Sequence, residues 1–290
     1  MERKNEPSEL LAGAVDLHIH TGPDIFPRLV TAISAAEAAQ KAGMRAIIVK
    51  SHSTDTAARA ATAAELTGFQ VFGGVVLNLS VGGLNEYAVL ETARQGGRIV
   101  WMPTITARHF VEKARFAPML QSAIPEGVTG LTVTENGSLK PVMSRILALI
   151  AEHDLILATG HISPAESVLL VEQAIASGVR RVVVTHPHVP FVDMDVPTMK
   201  QLASMGAYIE LTDHGTMAER ASLIRSVGVN RSFLSTDGGT VEAPPPVERL
   251  AGYVQGLLDL GFRRDEVRYM SAALPAYLLG LDSTLSTPTA

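Results

Sequence analysis

The histidines of this 290-residue chain are not scattered: seven of the nine stand at, or just past, the ends of short apolar runs. The first run, Val15–Ile19, carries His18 and ends at His20, two residues further on. Side chains two apart on a strand point to the same face. Two imidazoles on one edge make half of a site for zinc or a similar ion. Later runs end in Lys50-Ser51-His52, Gly160-His161, His186-Pro187-His188, Asp213-His214 and Asp237-Gly238-Gly239. A lone His-x-His is a weak signal. With His161, His186 and Asp237 at the matching ends of later runs it points to a metal centre. The chain has no cysteine, which excludes thiolate ligands, disulfides and thiol nucleophiles. It also lacks the Gly-x-Ser-x-Gly elbow of serine hydrolases.

Such residues meet only if the elements carrying them are parallel and adjacent. The sequence repeats one unit: a helical stretch, a glycine, then a β-branched run. It occurs at Gly43 before Arg45–Lys50, Gly68 before Gln70–Leu77, Gly96-Gly97 before Arg98–Thr104, Gly178 before Arg181–Thr185, Gly206 before Ala207–Thr212 and Gly228 before Ser232–Thr236. Glycine just past a helix supplies the left-handed residue that ends it. Runs such as Val182-Val183-Val184 are apolar on both faces, as buried parallel strands are. With Val15–Ile19 and Leu155–Ala158 there are eight strand candidates. Helices are expected between them at 31–42, 54–67, 84–95, 141–153, 164–177, 196–205 and 216–227, then at 247–260 and 265–280. Ser163-Pro164-Ala165-Glu166 is a helix start with a capping box. Eight βα units close a (β/α)₈ TIM barrel, whose strand C-termini share one rim. An open doubly wound sheet would instead feed its site from two or three strands. A hairpin over Gly127–Thr134 and Asn136-Gly137 is expected as an insertion after the fourth strand. The whole chain reads as a single α/β domain, with 1–12 as an N-terminal extension and 283–290 as a flexible tail.

Composition narrows the function classes. Net charge is −5 and pI about 6.0, with no basic cluster, so neither nucleic acid nor an anionic membrane is expected as a partner. No apolar run is long enough to span a bilayer and the first residues lack a signal-peptide core, so a cytoplasmic location is expected.

The motifs Val15-Asp16-Leu17-His18-Ile19-His20, Thr159-Gly160-His161, Val184-Thr185-His186-Pro187 and Ser235-Thr236-Asp237-Gly238 resemble those of the amidohydrolase superfamily, in this order from Val15 to Asp237. The tail Ala273–Leu281 is similar to that family's closing helix, and His18–Asp24 looks most like an uncharacterised bacterial branch. The resemblance implies that His18, His20, His161, His186 and Asp237 serve one metal centre. Members with two ions place a lysine or glutamate at the end of the fourth strand. Here that strand ends Trp101-Met102-Pro103-Thr104, so the resemblance favours one ion, held by His18, His20, His161 and Asp237 with His186 on water or substrate. Were the hairpin the true fourth strand, Glu135 would become a bridge. Zinc suits this donor set, and manganese or iron fits nearly as well.

The implied chemistry is hydrolysis of an amide, ester or lactone of a small molecule. Asp237 would take a proton from water and pass it to the leaving group, and His186 would orient the water or polarise the carbonyl. The rival is a metal-dependent decarboxylase of a small carboxylic acid, and a third reading is a non-catalytic sensor. Lys50, His52 and Arg28 are candidate substrate-binding residues, with a solvated loop or surface position as the plain alternative for each. Asp16 either orients a ligand histidine or is paired for the fold. His188 and His214 line the pocket or belong to loops, and His109 and His153 are assigned no role. Barrels of this kind often pair, so a homo-oligomer is an open expectation.

Overall fold

The computed structural model describes residues 7–282 and 284–288. Of the expected N-terminal extension 1–12, residues 7–12 are described, and Pro7–Leu10 forms a short helix. Met1–Glu6, and Ser283, Thr289 and Ala290 of the expected tail, lie outside the described residues.

The chain divides into two compact units, each assembled from separate segments. The first comprises 1–50, 58–72 and 211–290. Its strands β1 (Val15–His20), β2 (Ala46–Lys50) and β3 (Gln70–Phe72) lie parallel in the order β1-β2-β3. Every residue of β1 and β2 is buried; β2 is apolar on both faces up to Lys50, whereas β1 alternates Val15, Leu17 and Ile19 with Asp16, His18 and His20. The second unit comprises 51–57 and 73–210. It holds β4 (Gly74–Val76), β5 (Ile99–Trp101), a hairpin of β6 (Thr134–Glu135) and β7 (Ser138–Leu139), then β8 (Ile156–Ala158), β9 (Arg181–Val184) and the start of β10 (Tyr208–Thr212). Here β4, β5, β8, β9 and β10 are successive parallel neighbours. The last strand, β11 (Ser232–Ser235), belongs to the first unit.

Helix starts follow their sequence signals. Ser163 Oγ accepts from Glu166 N at 3.2 Å while Glu166 Oε2 accepts from Ser163 N at 3.2 Å, with Pro164 in the first turn. Thr216 and Glu219 repeat the box, and Asp195 caps 196–205.

Three expectations need correction. The run 70–77 is two strands, because Thr56 brackets Gly74: its hydroxyl donates to Gly74 O at 3.0 Å and accepts from Gly74 N at 2.9 Å. That diverts the groups which would continue the ladder. The hairpin is only four paired residues around Asn136-Gly137, both in the left-handed region that a tight two-residue turn requires. Glu135 is exposed on it, and β5 pairs with β4 and β8, so Glu135 has no place in the parallel sheet. The expected helix 265–280 is Arg264–Arg268, a π turn over 269–273 and Leu274–Leu278. Pro275 lacks the N–H that regular winding needs, and Leu274 N reaches back to Tyr269 O instead.

Candidate metal centre

In the first unit the centre is built by tying the end of β1 to the residues after β11. Ile19 pairs with Gly238, and His20 N donates to Gly238 O at 2.8 Å. Gly239 presses still closer: a Cβ there would lie 2.0 Å from His20 O, and its φ of 112° also favours glycine. Asp16 completes the tie. Its carboxylate accepts from Thr236 Oγ1 at 2.6 Å, Thr236 N at 3.3 Å and His18 N at 3.1 Å. Burial pushes the Asp16 carboxyl up to about 6 against the pull of these bonds. Of its two sequence readings, the one observed is structural: Asp16 holds backbones and a threonine, not an imidazole ring.

Asp237 sits in the left-handed region, φ 48°, a costly backbone for a residue other than glycine. The turn aims its carboxylate at β1. Oδ1 lies 2.9 Å from His18 Nε2 and 3.0 Å from His20 Nε2, and the two rings are 5.3 Å apart. Burial, then the nearby Arg28 charge, hold the His20 imidazole well below its usual pKa against the pull of Asp237. The direction of this shift favours the neutral imidazole that metal ligation requires. Two imidazole nitrogens and a carboxylate oxygen within 4.8 Å of one another fit a divalent ion of the zinc, manganese or iron type.

Charged neighbours surround this group. Lys50, expected on a rim, is fully buried, with Nζ 2.9 Å from His18 Nε2. Arg28 is neither a surface arginine nor unpaired. Its side chain is 2% exposed and that of Asp24 0%, and Asp24 Oδ2 accepts from Arg28 Nε at 2.8 Å and from Nη2 at 2.7 Å. Nη2 also stands 3.2 Å from His20 Nδ1. His214 is 41% exposed; its Nδ1 is 2.9 Å from Thr212 Oγ1 and its Nε2 4.0 Å from Asp237 Oδ2. Asp213, beside it, is engaged by Arg249.

The second unit holds its own histidine group. Gly160 makes a left-handed turn so tight that a Cβ would lie 2.3 Å from Met102 O. His161 N then donates to Pro103 O at 2.9 Å. His186, with φ 22°, donates its backbone N–H to Glu210 Oε2 at 3.1 Å. The His161 and His186 rings are 5.0 Å apart, and Phe191 packs 4.9 Å from His161 and 5.6 Å from His186. Phe110, from the long insertion, adds a face at 5.2 Å from His161. His52, also expected on a rim, is buried, with Nδ1 2.8 Å from Thr104 Oγ1 and its ring 6.0 Å from that of His161. His188 is half-buried; His109 bonds Val192 O at 2.8 Å and His153 ends a helix, both structural positions.

Of the five residues expected around one ion, His18, His20 and Asp237 form a single group in the first unit; His161 and His186 pair in the second. Sequence reasoning passed over Glu210 and Asn78. Glu210 is a lone charge inside the buried run Tyr208–Thr212, and that contrast was the available signal.

Residues 13–210 match the model of a family described as "Family of unknown function (DUF6282)". No curated protein sequence matches the chain. Among solved structures, it is similar to an amidohydrolase from Pseudomonas aeruginosa, with TM-score 0.60 and 14% identity over 95% of this chain and 98% of that one. It is also similar to 2,6-dihydroxybenzoate decarboxylase from Rhizobium (TM-score 0.57, 11% identity, 94% and 100% covered). An organophosphorus hydrolase from Deinococcus radiodurans gives TM-score 0.55 and 16% identity, with 95% and 94% covered. The chain has the α/β barrel fold of amidohydrolase-superfamily enzymes. No helix among the described residues is long and apolar enough to cross a membrane.

Proposed function

From the premise that the chain belongs to the DUF6282 family and carries an amidohydrolase-superfamily fold, we propose that it is a metal-dependent hydrolase cleaving an amide, ester or lactone of a small molecule. One observation carries the reading: the Nε2 atoms of His18 and His20 both turn onto Oδ1 of Asp237, at 2.9 and 3.0 Å. A divalent ion bound there would supply Lewis acidity and bring the pKa of water down to about 7. His18 and His20 would hold it through ring nitrogens, and Asp237 through a carboxylate oxygen. Asp237 Oδ2, on the other side of the carboxylate, is the base for the water proton. Asp237 would then pass that proton to the departing amine or alcohol, while His214, anchored by Thr212, stands 4.0 Å from Oδ2. His186, its turn held by Glu210 in the second unit, is proposed as a catalytic residue on the strength of the resemblance alone.

One ion is favoured over two, since the Lys50 ammonium beside His18 Nε2 already places a positive charge next to the ligands. The decarboxylase rival calls for a cation to grip a carboxylate. Arg28, the natural choice, is neutralised by Asp24, which weighs toward hydrolysis. Elemental analysis of the purified protein, with a panel of amides, esters, lactones and aromatic carboxylates and a carbon dioxide assay, tests both. About one zinc, manganese or iron per chain and turnover of a neutral ester, amide or lactone are expected. A His18→Ala/His20→Ala variant that kept every activity of the parent would sink the proposal.

A further inference from the structure

Where the short helix Pro7–Leu10 meets the helices Pro246–Asp259 and Arg264–Arg268, all in the first unit, there is a cavity of about 150 Å³. At about 30 Å³ for each water it has room for about five. Its floor is apolar: Val254 and Leu258, one turn apart on the longest of the three helices, with Val267 and Leu10 completing it. Arg264, Arg268 and Glu9 supply the charge. Arg264 and Arg268 are four apart, so they share one face of their helix. Among the described residues neither guanidinium has a hydrogen bond or an ion pair. The arginine beside them behaves otherwise: Arg263 Nε lies 3.0 Å from Asp265 Oδ1, and its Nη1 3.5 Å from Glu266 Oε1. Ser271, from the π turn that begins after Arg268, also lines the cavity, and its one proton goes to Val267 O at 2.8 Å. The donors left for an anion are therefore the two arginines. This cavity is not the metal centre. Glu9 and Leu10 precede β1 and His20 ends it, with six residues of strand at about 3.3 Å each along the way.

We propose that this cavity binds a small monocarboxylate with an apolar body, held by Arg264 and Arg268 over the floor of Val254, Leu258 and Val267. A carboxylate accepts from a guanidinium at two points, which suits arginines that have no other partner. Two guanidiniums against the Glu9 carboxylate leave one positive charge uncompensated. One carboxylate balances it, whereas a phosphate dianion exceeds it. The apolar body takes the place of water over the floor, which the single methyl of acetate covers poorly. The site is separate from the metal and does not rest on the hydrolase reading.

Calorimetric titration of the full chain as purified, at low salt and pH 7, tests it with benzoate as the probe and with acetate, benzyl alcohol and inorganic phosphate beside it. Benzoate should bind, and the other three should each bind at least about tenfold more weakly. Arg264→Gln/Arg268→Gln should weaken benzoate at least about tenfold, and Glu9→Gln should tighten it. Metal content equal in all three proteins checks that the substitutions leave the metal centre intact. A parent that does not bind benzoate overturns the proposal, and needs no variant to fold. Benzoate bound equally by the parent and the double arginine variant places the probe elsewhere and also overturns it. Benzyl alcohol or phosphate bound as tightly as benzoate overturns the choice of a monocarboxylate.

Discussion

Replacing Arg28 with methionine separates two roles for this arginine and has a calculable cost. Methionine keeps most of the apolar stem and removes the guanidinium. The Asp24 carboxylate, whose side chain is 0% exposed, then loses both bonds from Arg28, at 2.7 and 2.8 Å. Breaking a buried ion pair by removing one partner costs about 3–5 kcal/mol when the charge left behind has no other compensation; here Ile25 N still donates to Asp24 Oδ1 at 2.8 Å and the Arg59 charge still attracts the carboxylate, which lowers the cost. Against a total stability of about 5–15 kcal/mol this is a large fraction. Replacing both partners is far milder, since the pair's attraction is largely offset by its desolvation. Arg28→Met should therefore lose about 2–3 kcal/mol, toward or below the low end of that range, and Asp24→Asn/Arg28→Met should recover most of it. Urea denaturation of the four proteins of this cycle, metal-free at pH 7, measures the coupling. If Arg28→Met costs under about 1 kcal/mol, or the double variant is no better than the single, Arg28 is not spent on Asp24 and returns as a candidate substrate clamp.

Other outcomes follow from the same geometry. Chelation should abolish hydrolysis and lower the midpoint of thermal unfolding; at an ion concentration of about 100 times Kd, binding contributes about 2.7 kcal/mol. His18→Ala and His20→Ala should each lose the ion, and metal content of His161→Ala and His186→Ala checks the role that the resemblance gives those two. Lys50→Met removes the ammonium 2.9 Å from His18 Nε2, and calorimetric titration with zinc should show at least about tenfold tighter binding, about 1.4 kcal/mol. Unchanged or weaker binding would refute repulsion as the role of Lys50. Gly239→Ala puts a methyl 2.0 Å from His20 O at a φ of 112°, so it should cost about 1–3 kcal/mol or more in denaturation and weaken metal binding by displacing His20. Glu210→Gln keeps an acceptor for His186 N, whereas Glu210→Ala does not; turnover should fall further in the alanine variant.

The strands, their order and most helices were legible because each is a local pattern repeated, and two capping boxes fall where serine or threonine precedes glutamate by three residues. The histidines at strand ends were legible for the same reason: a parallel strand's C-terminus is known once the strand is. What the sequence hid depends on distance. Arg28 lies eight residues past His20 in a loop rich in turn residues, and nothing local says that it folds back onto Asp24. Lys50 reads as a strand-end cation for substrate or for a solvated loop, yet the residue opposite it in the ladder is His20, and its side chain stands against His18. Asn78 is one polar residue after an apolar run, and its five hydrogen bonds reach residues 26 to 28 positions away.

Charge decides how these hidden residues bear on chemistry. In the first unit Arg28 is matched by Asp24 and Arg249 by Asp213, so neither pair adds net charge beside the histidines. Asp16 faces Thr236 and a backbone, its carboxyl pushed up to about 6. Lys50 and Asp237 are left as the opposed charges on His18 Nε2, both at 2.9 Å. One nitrogen cannot receive a proton from an ammonium and give one to a carboxylate at the same time. A cation held by His18, His20 and Asp237 would take lone pairs from both nitrogens and the carboxylate oxygen. The lysine supplies the counterweight: it leaves the centre enough positive charge that a second ion gains little by joining the first.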